Sequence, residues 1–322
     1  MPKCIVFGAD GFIGRHLTVG LAKQDNEVIA IDRFRDYQSG ESHIFDKYSN
    51  ISITVGDFMN DSFVKNIVQD SDYVFHLVST TNPAISNENP FLDIDTNIRG
   101  SVSLFNICST LDKPPKIIYF SSGGTVYGDS KPDKNGLYSE DSLLLPKSPY
   151  AIGKVTIEHY LNYFHQHKGL EYLVYRASNP YGVGQNIHGN QGVIPIFMSK
   201  LVNDEPIVVL GDGSMVRDYI YIEDFIQSIL NTFQTNGSQG VYNLGSSRAE
   251  SINDIIRMIT NITHKNFSDI RYLPKPDTYI DSVVLDTTKF KKAFGDKYIN
   301  STSLEAGMLK TWEYVNENTK KD

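Results

Sequence analysis

Cys4-Ile5-Val6-Phe7-Gly8-Ala9-Asp10-Gly11-Phe12-Ile13-Gly14 is the stretch on which the fold turns. The four apolar residues read as a buried strand, and the glycines that follow read as a tight turn into a helix. Gly8, Gly11 and Gly14 each have a separate task. One permits the turn, one lets the backbone approach a pyrophosphate, and one lets the helix pack on its strand. The helix start, with Phe12 and Ile13 in its first turn, offers unpaired N–H groups and a positive dipole end to phosphates. The spacing is GxxGxxG rather than GxGxxG, which favours one branch of the dinucleotide-binding proteins.

Further along, the run Glu27-Val28-Ile29-Ala30-Ile31 ends in Asp32. A carboxylate at the tip of a second strand accepts the hydroxyls of an adenosine ribose and repels a 2′-phosphate, so NAD(H) is favoured. Arg33 and Arg35 follow at once, and a guanidinium there could hold the extra phosphate. NADP(H) therefore stays open as the lesser alternative.

Composition narrows the class. The 322 residues are 40% hydrophobic, enough for a large core, and carry a formal net charge of -8. No basic stretch marks a nucleic-acid surface. With no basic cleavable leader and no apolar run of bilayer length, a cytoplasmic chain without a membrane partner is expected. Cys4 and Cys108 lie in apolar runs and read as buried free thiols. The eight histidines show no ligand spacing, so no metal is expected. Asp93-Ile94-Asp95 imitates the start of a calcium loop, but Ile98 stands where that loop needs glycine.

Strand-like runs at Lys3–Phe7, Glu27–Ile31, Ile51–Val55, Tyr73–Leu77, Lys116–Ser121 and Glu171–Arg176 alternate with helical periodicity at Gly14–Gln24, Asp61–Gln69, Phe91–Leu111 and Tyr150–His167. Repeated β-α-β units predict an α/β fold, a doubly wound parallel (Rossmann) sheet with helices on both faces. Residues 1–177 form this domain, with a return segment near 221–245. Residues 178–220 and 246–322 form a smaller α+β lobe. Ser178–Gln191 reads as loop, and Ser251-Ile252-Asn253-Asp254 as a capping box opening a helix to Thr263.

Tyr150 and Lys154 stand four residues apart on a predicted helix, with Pro149 at its start, so they share one face. A tyrosine is a poor base near its ordinary pKa of about 10. A neighbouring ammonium, with the positive charge of an oxidised nicotinamide, favours the phenolate. Tyr150 could then exchange a proton with a hydroxyl or ketone while hydride moves to or from the cofactor.

With these residues on the page, the chain resembles the extended short-chain dehydrogenase/reductases of the nucleotide-sugar epimerase and dehydratase group, and among them the UDP-glucose 4-epimerases. The likeness runs from Lys3 to about Asp286. It rests on Gly8–Gly14, Gly56-Asp57-Phe58, His76-Leu77, Asn97-Ile98-Arg99-Gly100, Ser121–Gly128, Tyr150–Lys154, Asn179-Pro180 and Val216-Arg217-Asp218-Tyr219. The resemblance implies Asp57 and Phe58 at the adenine, Leu77 beside the cofactor, and Asn97 as the structural asparagine of the active-site tetrad. It implies Tyr150 as acid/base, Lys154 on the nicotinamide ribose, Asn179 at the substrate phosphates and Arg217 on the diphosphate. Lys275 stands where relatives place a second phosphate-binding arginine. A nucleotide-sugar substrate and a homodimer built on the helices of Phe91–Leu111 and Tyr150–His167 follow from the same likeness.

Two departures stand out. The catalytic Ser/Thr of the group falls at Gly123, so Ser122 or Thr125 must substitute, or Tyr150 must work without that donor. Losing one positioned donor can cost about 2.7–4 kcal/mol of transition-state stabilisation. Gly124 and Thr125 replace the Asp-Glu pair of the 4,6-dehydratases, which disfavours water elimination. A UDP-hexose 4-epimerase is the leading expectation. The alternative is a reductase of a nucleotide-linked 4-keto-6-deoxy sugar, since reducing a ready-made ketone demands less of the proton relay. A noncatalytic NAD(H) sensor is a third reading, opposed by the intact Tyr150 and Lys154.

Overall fold

The computed structural model describes residues 1–34, 43–133, 135–189 and 191–319; Arg35 lies outside these described residues. A seven-stranded sheet is built from β1 (Lys3–Phe7), β2 (Glu27–Asp32), β3 (Ile51–Val55), β4 (Tyr73–His76), β5 (Lys116–Ser122), β6 (Tyr172–Ala177) and β7 (Gly240–Leu244). Its order is β7-β6-β5-β4-β1-β2-β3. Strand β1 pairs in parallel with β2 and β4, β2 with β3, and β4 with β5. The chain leaves β3 at one edge and returns to β4 beside β1, so the direction of winding reverses next to β1. A ligand crevice is expected beyond the strand ends at such a reversal.

The helices that cover this sheet are α1 (Phe12–Lys23), α2 (Asp61–Val68), α3 (Pro83–Glu88), α4 (Arg99–Ser109) and α5 (Pro149–Lys168). Ile5, Phe7, Val74, Ile117 and Tyr119 of the sheet pack into one core with Leu104, Phe105, Ile157 and Leu161 of α4 and α5. Each such side chain stabilises the fold by roughly 1.5–3 kcal/mol on burial. Cys4 and Cys108 are buried free thiols, and burial pushes both up to about 12.

Helix α5 starts and stops where its sequence directs. Ser148 caps it by accepting from the Ala151 amide at 3.3 Å, Pro149 takes the first turn, and Gly169 closes it at φ 70°. Glu158 ties the helix to the sheet. Its carboxylate takes Nε of Arg176 at 3.1 and 3.2 Å, Nη2 at 2.7 Å and the Ser121 hydroxyl, all in the interior.

The predicted single helix over Phe91–Leu111 is broken in three. A helical turn at Pro90–Leu92 leads into a π-helical turn at Asp93–Ile98, then α4. The wider turn carries Asp93 and Asn97 inward together, where their side chains bond Thr81 and, from Asn97, the Thr80 amide. The loop expected at Ser178–Gln191 holds a short strand, Asn179–Tyr181, paired in parallel with Tyr219–Tyr221.

Two compact units divide the chain. The first comprises Met1–Ser122, Ser148–Arg176 and Ile229–Tyr242; the second comprises Gly123–Lys147, Ala177–Ser228 and Asn243–Asp322. Residues 123–147, which the sequence groups with the first domain, fall in the second unit because their partners lie there. Tyr138 bridges Leu285, and the Tyr127 hydroxyl donates to Asn243 at 2.6 Å. Similarly, the return segment near 221–245 contributes only Ile229–Tyr242 to the first unit. The second unit also contains a three-stranded sheet in which Val216–Arg217 runs between Glu250–Ser251 and Ser282–Val283. Ser251 and Asp254 form the expected capping box on the helix Ile252–Thr263. No helix among the described residues is long and apolar enough to cross a membrane.

Replacing Glu158 by alanine strips the buried Arg176 of its carboxylate, and breaking such a pair costs about 3–5 kcal/mol. The urea midpoint of Glu158→Ala should fall accordingly; a midpoint equal to wild type would deny the pair any part in seating α5.

Candidate functional site

A cleft of about 500 Å³ opens in the first unit beside β1, β2 and β4. The sequence-predicted Gly8, Gly11, Asp32, Arg33, Asp57, Phe58 and Leu77 all line it. Gly8 has φ +85°, a left-handed conformation suited to glycine, and a Cβ on Gly14 would stand 2.1 Å from the Gly8 carbonyl oxygen. Helix α1 therefore starts in direct contact with the turn. Its cap residue, Gly11, supplies no side chain to the first-turn amides. Phe12, Ile13 and Gly14 form that first turn and do not line the cleft.

The Asp32 carboxylate accepts from the amides of Asp10 at 3.1 Å and Arg33 at 2.7 Å, which fixes it at the cleft wall. Phe58 packs edge-on to Phe7 and stacks on His76 at a centroid distance of 4.9 Å. Asp57 accepts from the Met59 amide at 2.9 Å, a local turn. Met59, Val78, Ser79 and Thr80 also line the cleft, and the sequence does not single them out. An uncapped helix start, a turn that admits no Cβ and a carboxylate at the second strand tip together fit a dinucleotide.

Tyr150 and Lys154 share one face of α5, with the lysine nitrogen 5.5 Å from the Tyr150 ring centroid and 5.0 Å from that of Tyr119. The ammonium donates to the Phe120 carbonyl at 3.0 Å. Burial pushes the Tyr150 phenol up to about 12, opposed by hydrogen bonds from Ser122 and Ser79 and reinforced by the charge of Asp93. Burial likewise lowers Lys154 to about 8, opposed by the charges of Asp93 and Glu158. The sequence predicts a phenol lowered by the ammonium together with an oxidised nicotinamide; in the protein alone, burial outweighs the causes that lower it. Ser122 is where the sequence puts a substitute hydroxyl. Ser79 is an addition from the loop after β4, 71 residues away in sequence, with no motif to announce it. Thr125 sits in the helical turn Gly123–Val126 of the second unit.

The amide of Asn97 is fully engaged. Its oxygen accepts from the Thr80 amide at 2.9 Å, and its nitrogen donates to Thr81 at 2.9 Å and Asp93 at 2.7 Å. It thereby fixes the loop that carries Ser79. His76 beneath is neutral: burial and the nearby Lys154 push it down to about 3.

In the second unit, Asn179 donates to the Asp218 carbonyl at 2.9 Å. The Arg217 guanidinium donates to the carbonyls of Val216 at 2.7 Å and Ile280 at 2.8 Å. Asp218 does not pair with it; that carboxylate takes Ser246, Ser247 and Leu285 instead. Lys275 is half-exposed and ion-paired with Asp281.

Residues 4–245 match the model of the NAD dependent epimerase/dehydratase family. A dTDP-4-dehydro-6-deoxyglucose reductase of Escherichia coli is 30% identical over 90% of this chain and 91% of its own. The UDP-glucose 4-epimerase of Thermotoga maritima, solved with UDP-glucose, is 30% identical over 98% of this chain and 99% of its own, with a TM-score of 0.86. The UDP-glucuronic acid 4-epimerase of Bacillus cereus, solved with UDP-glucuronic acid and NAD, is 27% identical over 98% and 99%, also at 0.86. With the glycine turn, the reversal beside β1 and the Tyr150–Lys154 face in place, the chain belongs to the NAD dependent epimerase/dehydratase family, whose members include nucleotide-sugar epimerases, dehydratases and reductases.

Proposed function

We propose that this protein is an NAD-dependent 4-epimerase of a UDP-linked hexose, with Tyr150 as its acid/base. The observation that carries the reading is the Tyr150–Lys154 pair on one face of α5, with the hydroxyls of Ser122 and Ser79 acting to lower the phenol pKa. Oxidising an alcohol needs a hydroxyl relay at the phenol, and these two supply it although Gly123 has none. Tyr150 takes the proton of the sugar 4-hydroxyl and later returns it. Lys154 holds the nicotinamide ribose and favours the phenolate by its charge. The nicotinamide, when bound, supplies the hydride acceptor and donor for C4. Gly8 and Gly11, at the turn into α1, would hold the diphosphate of the cofactor, and Asp57 and Phe58 would flank its adenine. Asp32 accepts its ribose hydroxyls and selects NAD(H) over NADP(H). Asn179, Arg217 and Lys275 serve the diphosphate of the sugar nucleotide.

The second reading is a reductase of a nucleotide-linked 4-keto-6-deoxy sugar. Gly123 favours it, as does the Escherichia coli relative at 30% identity. One assay separates the two. The purified protein should retain NAD+ rather than NADP+ and interconvert UDP-glucose and UDP-galactose with no cofactor added. Oxidation of added NAD(P)H that requires a 4-keto sugar nucleotide would instead establish the reductase.

Tyr150→Phe should lower kcat by about 10²–10⁴-fold while cofactor affinity holds. The double variant Ser79→Ala/Ser122→Ala should lose about 10²-fold or more. Full turnover in either would remove those side chains from the relay.

A homodimer accounts for the exposed apolar side chains of α5 and the turns before α4. Phe91 is 72% exposed, Ile152 50% and Tyr163 51%. Light scattering should report a dimer for wild type and a monomer for Ile152→Asp/Tyr163→Asp. A wild-type monomer at micromolar concentration would sink this assembly.

A further inference from the structure

Asp93 is 2% exposed, on the π-helical turn that precedes α4. Its two oxygens have different surroundings. Oδ1 accepts from Asn97 at 2.7 Å and from the Thr81 hydroxyl. Oδ2, equally buried, finds no hydrogen-bond partner. That oxygen lies against α5 at Gly153, where a Cβ would stand only 2.2 Å from it. Gly153 shares a helix face with Tyr150, three residues before it, and directly precedes Lys154 in the chain. A buried carboxylate oxygen thus abuts α5 at the residue next to Lys154, one turn from Tyr150.

Fixing the loop over residues 80–82 requires only Oδ1, and a neutral side chain could provide that. The charge is left unexplained by architecture, and burying it unbonded is costly unless a cation compensates. We propose that Asp93 is the counter-ion that keeps Lys154 an ammonium beside Tyr150, and is thus a positioning residue for the chemistry of the previous section, on which the kinetic part of this proposal rests.

The other groups packed around Lys154 do not take that role. From β4 comes His76, which is neutral. From β5 comes the Tyr119 ring, whose hydroxyl is buried and held un-ionised. From α5 itself comes Glu158, whose oxygens are engaged by Arg176 of β6 and by Ser121. Among the described residues, Asp93 is the buried carboxylate near Lys154 that keeps an unpartnered oxygen, and it acts on both members of the pair. It raises the lysine against the effect of burial, and it raises the phenol too. Neutralising it must lower both.

Asp93→Asn keeps an oxygen for Asn97 and Thr81 and removes the charge. With lysine labelled at Cε, NMR titration of the holoprotein follows Lys154, assigned by its loss in Lys154→Arg. The midpoint should fall by about one pH unit or more from wild type to Asp93→Asn. An unmoved midpoint overturns the proposal. If Asp93→Asn does not fold, Asp93→Ser, which keeps a hydroxyl acceptor, is titrated in the same way with the same two outcomes. In the epimerase assay both limbs of the pH–kcat profile should move to lower pH, a response that loss of loop order alone does not produce. A shifted lysine in a protein that turns over no sugar nucleotide would refute the proposed function and leave the counter-ion standing. Normal turnover with an unshifted lysine would do the reverse.

Discussion

A lysine ammonium held out of water next to a phenol is the constraint around which the first unit is organised. Burial drives both groups toward neutrality, Lys154 down to about 8 and Tyr150 up to about 12. Keeping either charge therefore depends on neighbours that cannot move. The Phe120 carbonyl and the faces of Tyr119 and Tyr150 receive the ammonium. Each belongs to β5 or α5, so the relative setting of that strand and helix decides the electrostatics. Glu158, Arg176 and Ser121 lock that setting from below. A helix slipped by one residue would carry Lys154 about 100° round, away from its carbonyl.

The second unit is organised by a buried carboxylate rather than a buried cation. Asp218 is fully enclosed and accepts from the amides of Ser246, Ser247 and Leu285 and from the Ser246 hydroxyl. Burial nevertheless raises its pKa from the ordinary carboxylate value. Four donors from two distant chain segments meet on one side chain, and the neighbours of that side chain are Arg217 and Tyr219. Arg217 is further held by the Val216 and Ile280 carbonyls, while Asn179 is held by the Asp218 carbonyl. Under the proposed function, the two residues that would meet a diphosphate are set by backbone contacts, which reduces what ordering them on binding would cost.

Much of this was legible in the sequence because the relevant physics is local. Parallel strands covered on both faces appear as unbroken apolar runs, and every predicted strand of the first half is found within a residue or so of its bounds. Gly8 and Gly14 are fixed by contacts six residues apart. Tyr150 and Lys154 share a face by helical geometry alone. The π turn at Asp93–Ile98 was not legible, since its inward residues answer to Thr80 and Thr81 on another segment. Nor was Ser79, whose meeting with Tyr150 depends on the whole sheet being assembled. The setting of segment 123–147 was not legible for the same reason: its partners, Asn243 and Leu285, lie more than 100 residues on.

Proton counting at Ser79 bears on how a chain with glycine at 123 can run this chemistry. A serine hydroxyl has one proton to donate and two lone pairs to accept with. The Ser79 Oγ stands 3.1 Å from the Thr81 carbonyl and acts to lower the Tyr150 phenol pKa. While Tyr150 keeps its proton, Ser79 donates to Thr81. Once the proposed acid/base has lost its proton, it needs donors, and Ser79 can turn its single proton from the carbonyl to the phenolate. That rotation forfeits one long neutral bond and gains a charge-assisted one, which is roughly twice as strong. The relay under this reading works without a hydroxyl at 123 because the loop fixed by Asn97 supplies one that responds to the charge on the tyrosine.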